Sequence, residues 1–274
     1  REDTSIDIYI NAEKQEIHIR DNGSGICKED FVRVLSDIAN SDKKRAVDKG
    51  FRGIGRLCGL AYCNEMRFIS SAKGELKASV MTWNARKMRT MLNDDRKHTA
   101  DEVLGAILDT SYQSANMEEH FFEVIMTGVT NPDLLNKDII RNYLSFEIPV
   151  PYPNKFMFNE QIYEHAKQLG VSIDEYNVFV GDESDEQVFK GYSTRIYSGN
   201  KVHDEIKAIE FKDFYDENDK LIAWMWFGLS SLNGQIKAQG NIQRGLRLRK
   251  GNIQIGESGT LRRLFKDARG NEYF

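Results

Sequence analysis

Residues 19–26 read IRDNGSGI, and they close a stretch in which apolar and polar side chains alternate. SIDIYI (5–10) puts Ile6, Ile8 and Ile10 on one face, and EIHIR (16–20) does the same with Ile17 and Ile19. NAEK (11–14) can turn between them, so 5–20 reads as a β-hairpin with one buried face. An aspartate, an asparagine and two glycines then stand where the second strand ends. Taken alone, the octet is a turn: Asn-Gly signals one, and glycine tolerates backbone angles that other residues avoid. The residues that follow add a second reading.

Phe31, Val34, Leu35 and Ile38 fall at i, i+3, i+4 and i+7, which predicts an amphipathic helix over about 30–39. A polar run without period, NSDKKRAVDKG (40–50), reads as an exposed segment. FRGIGRLCGLAYC (51–63) completes a second glycine cluster, Gly50-Phe51-Arg52-Gly53-Ile54-Gly55, and Ile54, Leu57, Cys58 and Ala61 would share a helical face. RFISS (67–71), ELKASVMTW (75–83) and FFEVIMTGV (121–129) read as strands. Residues 84–118 read as helical and polar, anchored by Met88, Met91, Leu92 and the short apolar run 103–108. IIRNYLSF (139–146) reads as a helix, and Pro149, Pro151 and Pro153 follow it. Proline fixes its own backbone and restricts the residue before it, so the domain boundary is placed there, giving domains 1–150 and 151–274.

The second part mixes a helix at 159–170 with strands at 176–181, 192–199 and 221–230. Trp224 and Trp226 share a face by period and read as packing residues. GLRLRKGNIQIG (245–256) reads as a basic hairpin turning at Lys250-Gly251-Asn252, with a short helix at 261–265 after it.

Composition narrows the function classes. The chain has 274 residues, 38 Lys plus Arg and 42 Asp plus Glu, so its formal charge of -4 gives no global pull toward nucleic acid. Cys27, Cys58 and Cys63 form no Cys-x-x-Cys pair, and with five histidines no zinc-ligand spacing arises, so no metal site is expected. That usage fits a reducing compartment and a cytoplasmic protein. No signal peptide and no membrane-spanning apolar stretch is present in the sequence.

The chemistry rests on the two glycine clusters. Neither fits the dinucleotide pattern opening from a strand, and there is no Walker phosphate loop. A glycine-rich loop leading into a helix presents amides to phosphate. An aspartate at a strand end can accept a hydrogen bond from an exocyclic amine such as that of adenine. Leaving such a group unpaired in a closed pocket costs about 1–3 kcal/mol.

DNGSG (21–25) resembles the Asp-x-Gly-x-Gly box of the GHKL ATPases, the group of gyrase, heat-shock ninety chaperones, histidine kinases and MutL. KGFRGIGRLCG (49–59) resembles their second glycine box, in the family's order and about its spacing. The overall look is most like bacterial proteins related to the heat-shock ninety chaperones. The resemblance implies an α/β two-layer Bergerat fold over 1 to about 150, with a mainly antiparallel sheet. It also implies a ribosomal-protein-like transducer domain after it, of which 245–256 is the clearest piece.

The resemblance assigns roles residue by residue. Asp21 would bind the adenine amino group, and Gly23 and Gly25 would let the backbone approach the base and its waters. Residues 40–52 would form a lid, with Gly50 and Arg52 at its end. Gly53, Ile54 and Gly55 would lead into the next helix and present amides to the phosphates. Asn22 would shape the turn. The implied cofactors are ATP and, in the intact protein, Mg2+. The implied activity is ATP binding, with ATP hydrolysis in the intact protein, in a chaperone-like machine, with a homodimer and a protein client as partners. A DNA-associated ATPase of MutL or gyrase type and a nucleotide-binding scaffold are the alternatives. Arg244, Arg247, Arg249, Lys250 and Lys237 are candidates to reach the terminal phosphate.

Two departures from the family are visible. Its general-base glutamate and magnesium-binding asparagine lie on a helix before the first strand, and the sequence from Arg1 starts where that helix would end. Either the sequence is a fragment or the protein is incomplete; as it stands the family's catalytic set is missing, and no catalytic residue is assigned. Where the family often has Gly-Thr before the strand that backs the adenine pocket, this chain has Phe121 and Phe122 near that place.

Overall fold

The computed structural model describes residues 4–36, 55–181 and 187–274. These divide into two compact units, one of 1–141 with 177–187 and one of 142–176 with 188–274.

The first unit is built on a seven-stranded sheet. Its strands are β1 (Ser5–Asn11), β2 (Glu16–Asp21), β3 (Glu65–Ser71), β4 (Lys77–Trp83), β5 (Leu108–Ser114), β6 (Phe121–Thr127) and β7 (Asn177–Val180), in the spatial order β5-β4-β3-β6-β2-β1-β7. Every pairing is antiparallel except β1 with β7. The hairpin β1–β2 matches the alternation read from the sequence, with Ile8 opposite Ile19 and Ile10 opposite Ile17. Period-2 geometry carries one apolar face across the sheet. Val178 and Val180 line up with Ile6 and Ile8, then come Ile17 and Ile19, Val124 and Met126, Met66 and Phe68, and finally Met81 and Trp83.

Helices cover that face. The amphipathic segment forms α1 (Lys28–Ser36), burying Phe31 and Leu35. A 3-10 helix spans Gly55–Ala61. Its Gly59 packs so closely that a Cβ there would lie 3.0 Å from Met66 Sδ and 3.4 Å from Met126 Sδ. Then come α2 (Ala85–Leu92), capped by Asn84, and α3 (Ala100–Ile107), which opens with a Thr99/Glu102 capping box. The other face carries a smaller cluster of Ile69, Ala78, Val80 and Phe121. The guanidinium of Arg20 lies 3.7 Å from the Phe121 ring centre.

One expectation is corrected. Residues 84–118 are not helical throughout: Leu108–Ser114 is an edge strand paired with β4 from Leu108–Trp83 to Ser114–Lys77. LDTSYQS has no apolar alternation because the strand is exposed from Asp109 onward, and only the ladder to β4 fixes it as β.

In the second unit, helix α4 (Lys137–Glu147), which begins in the first, is followed by Pro149, Pro151 and Pro153. Val150 and Tyr152 are buried there, and the Pro149 and Pro151 carbonyls accept from Tyr176 N (2.7 Å) and Lys190 N (2.8 Å). Helix α5 (Asn159–Gln168) packs its Ile162 in an aromatic core with Tyr152, Phe156, Phe158 and Ile209. Two-stranded ribbons complete the unit: β8 (Arg195–Ser198) with β9 (Lys201–Glu205), β10 (Ala208–Tyr215) with β11 (Leu221–Leu229), and β12 (Arg249–Lys250) with β13 (Ile253–Gln254). Trp224 and Trp226 share a face of β11 and pack on the aromatic core. The β12–β13 turn is Gly251-Asn252, both with positive φ (54° and 59°), a backbone suited to a tight hairpin.

Lys190 is buried in this unit, 1% exposed, and its Nζ donates to Ile148 O at 2.6 Å and Asn252 O at 3.4 Å. Burial, with Arg249 and Arg247 adding repulsion against the attraction of Glu175 and Glu147, brings its ammonium down to about 7 from 10.5. Between those two values the unfolded chain holds the proton and the folded one releases it, so folding stability rises with pH across the window and is flat below it as far as this group acts. Denaturant midpoints measured from pH 7 to 10 are expected to rise for the native chain relative to Lys190→Met. Parallel profiles would show that the ammonium is not desolvated.

Candidate functional site

The Asp21–Gly25 loop leaves the end of β2 and runs into α1. Asp21 ends the strand on the helix-covered face, directly paired with Phe122 on one side and Ile6 on the other. Its Oδ1 accepts from Gly23 N at 2.9 Å. Its Oδ2 has no hydrogen-bond partner among the described residues. Asp21 and Phe122 are both part-exposed, so the carboxylate and the aromatic ring lie side by side at an open end of the sheet. The Phe122 ring packs at 6.0 Å from that of Phe68.

The loop is held from four directions. Asn22 Oδ1 accepts from Ser5 N at 2.7 Å, which ties the turn to β1. His120 Nδ1 bonds to Gly23 O at 2.6 Å. Ser70 Oγ accepts from Ile26 N (2.7 Å) and donates to Phe121 O (2.8 Å), joining the loop to β3 and β6. Glu75, in the β3–β4 turn, accepts from Lys28 N (2.8 Å) and Ala72 N (2.9 Å), so its carboxylate caps α1 from 47 residues away.

The two glycines do different work. Gly25 has φ +67°, and a Cβ there would lie 2.0 Å from Ser71 O and 3.0 Å from Phe121 O. It is the point where the loop crosses the strand ends, and no side chain fits. Gly23 has no such backbone demand, but a Cβ on it would lie 2.7 Å from Asp21 Oδ1. Its bare Cα leaves room for the carboxylate.

Of the second glycine cluster, Gly55 begins the 3-10 helix, is exposed, and would meet no described residue within 4 Å if given a Cβ. Gly50, Arg52, Gly53 and Ile54, with the lid segment 40–52, lie outside the described residues. The sequence did not single out His120, Ser70 or Glu75. Their contacts span 97, 44 and 47 positions, and nothing local marks them.

The basic candidates of the second unit are engaged within it. Arg247 lies over the Phe146 ring at 4.1 Å and donates to Gln254 Oε1 and Ile242 O. Arg249 donates to Asn252 O, and Arg244 to Ile236 O. Lys237 and Lys250 are exposed. Among the described residues no three His, Cys, Asp or Glu gather so as to hold a metal ion. No described helix is long and apolar enough to cross a membrane.

Residues 2–106 match the sequence profile of the family described as Histidine kinase-, DNA gyrase B-, and HSP90-like ATPase. No curated protein matches the chain significantly. The N-terminal part of the chain is thus a GHKL-type ATPase domain of Bergerat fold, and an α/β region follows it.

Replacing the two loop glycines by alanine is expected to separate folding from site geometry. Gly25→Ala forces an L-residue to positive φ, which costs about 1–3 kcal/mol, and adds an overlap with Ser71 O. Gly23→Ala is expected to leave the denaturation midpoint nearly unchanged while displacing the Asp21 carboxylate, seen as loss of nucleotide binding. Equal destabilisation by both would remove the distinction.

Proposed function

We propose that this chain binds ATP, with Asp21 as the adenine acceptor. The carrying observation is the carboxylate itself. One oxygen is fixed by Gly23 N–H, the other is free among the described residues, and the group lies at an open end of the sheet beside an aromatic ring. A fixed acceptor of this kind suits an exocyclic amine and repels the carbonyl that guanine would present there. Phe122, in the place where related proteins often carry threonine, supplies a flat apolar surface instead of a hydroxyl. Base recognition then depends on one carboxylate and one ring contact.

Gly53 and Gly55 are the proposed phosphate contacts. That no described residue lies within 4 Å of a Cβ built at Gly55 supports this for the one of them that is described. ATP hydrolysis, a lid at 40–52, a conformational cycle of chaperone type and a transducer role for the second unit extend the proposal. No step is routed through Mg2+. A DNA-associated ATPase is the second reading, and it rests on the basic segments 244–250 and 262–269. The engagement of Arg244, Arg247 and Arg249 with acceptors in their own unit leaves fewer cations for a phosphate backbone.

Calorimetric titration with ATP and with adenosine tests the reading. Asp21→Asn keeps an Oδ1 for Gly23 N–H but turns the free acceptor into a donor, so both ligands are expected to bind about 1–3 kcal/mol more weakly. Gly55→Val meets no described residue within 4 Å of its Cβ and is expected to change stability by no more than about 0.5 kcal/mol. It should weaken ATP and spare adenosine. A folded Asp21→Asn chain that binds both ligands as tightly as the native one would take Asp21 out of the pocket.

A further inference from the structure

Gly23 links the Asp21 carboxylate to a side chain 97 positions further along the chain. Its N–H donates to Asp21 Oδ1 at 2.9 Å, and its carbonyl accepts from His120 Nδ1 at 2.6 Å. Among the described residues these are the only hydrogen bonds on its backbone. Glycine has more backbone freedom to lose than any other residue, so the peptide planes on either side of Gly23 are fixed from outside. Asn22, Ile26 and Lys28 are tied at other points of the loop, to Ser5, Ser70 and Glu75. None of those bonds holds the Gly23 carbonyl.

His120 acts from a firm base. It immediately precedes Phe121, the buried first residue of β6. The Phe121 carbonyl accepts from Ser70 Oγ at 2.8 Å, and the Arg20 guanidinium covers its ring at 3.7 Å. Next in the chain is Phe122, which pairs with Asp21. The imidazole and the carboxylate are thus placed by the same strand pair, and Gly23 spans them. A carbonyl oxygen only accepts, so His120 Nδ1 carries the proton, and in the neutral ring Nε2 is the bare nitrogen.

We propose that His120 is a positioning residue for base recognition. It holds the Gly23 carbonyl, which keeps the Gly23 N–H on Asp21 Oδ1 and so sets the angle at which the carboxylate meets an exocyclic amine. This rests on the reading of Asp21 as the adenine acceptor. His120 is exposed, so the bond adds little to global stability and restricts a loop within the folded chain.

Asparagine carries an amide N–H near the place of Nδ1, whereas glutamine carries one near the place of Nε2. In calorimetric titration His120→Ala is expected to weaken adenosine and ATP by the same factor, about three- to tenfold, with the denaturation midpoint nearly unchanged. His120→Asn should restore both affinities to within about twofold, and His120→Gln should not. In an Asp21→Asn background His120→Ala should cost less than about twofold, because the acceptor it positions is gone.

Two readouts need no ligand. Amide hydrogen exchange at Gly23 should speed up in His120→Ala and return to the native rate in His120→Asn. On the native chain at alkaline pH, ring nitrogen NMR shifts should show His120 protonated at Nδ1 and bare at Nε2. An Nε2–H ring, or native exchange at Gly23 in His120→Ala, would overturn the clamp. Native adenosine affinity in His120→Ala while Asp21→Asn loses it, full additivity of the two substitutions, or restoration by glutamine in place of asparagine would overturn the positioning role alone. A loss of ATP without adenosine would make His120 a phosphate contact and overturn it as well. Native affinity for both ligands in Asp21→Asn would instead mark the failure of the adenine reading, and the role in base recognition would fall with it.

Discussion

The contact on which the first unit depends is the crossing of the Asp21–Gly25 loop over the strand ends at Ser71 and Phe121. Gly25 comes so near the Ser71 carbonyl that any side chain would overlap it. This close approach brings Ile26 N within reach of Ser70 Oγ and Lys28 N within reach of Glu75. The first bond joins the loop to the middle of the sheet, and the second satisfies an orphan donor at the start of α1. One missing Cβ therefore sets where the strand ends, where the helix begins, and where Asp21 stands between them.

The sheet separates two kinds of chemistry along one face. At one end the apolar rows give way to Asp21 and Ser70, with Phe122 between them in register, and polar recognition becomes available there. Elsewhere the same face runs through Met66, Met81 and Trp83 beneath the 3-10 helix, α2 and α3, where almost every polar group is satisfied internally. Among the described residues the Ser79 hydroxyl and the Trp83 indole N–H on this face lack a partner, and a close-packed interior tolerates few such groups. The second unit shows the same economy in another form. Tyr163 donates to Glu175, Gln254 donates to Glu147, and Lys190 fills two backbone carbonyls, so its buried charges lie in a network rather than alone.

Sequence reading was strongest where periodicity and turn chemistry coincide. Ile6, Ile8, Ile10, Ile17 and Ile19 announce a hairpin because a strand alternates with period two. Phe31 and Leu35 announce α1 because a helix repeats at 3.6, and Gly251-Asn252 announces a turn because the backbone there needs positive φ. The two glycine clusters and Asp21 were legible for a related reason, since their residue types are fixed by local steric and hydrogen-bonding needs. LDTSYQS was not legible as a strand, and neither was β9, because exposed ribbons lack the alternation that burial imposes.

What the sequence by itself determined is the hairpin, the helix after it and the residue types of the loop, all set by interactions within a few positions along the chain. Only the tertiary structure decided that β7, 172 residues beyond β1 at its first paired position, Ser5 with Asn177, joins the sheet in parallel, and that Ser70, Glu75 and His120 hold the loop. The physical reason is that a hydrogen bond or strand ladder formed across such separations depends on where the backbone brings its donors and acceptors. That position is a property of the packed sheet, and no single residue or local period encodes it.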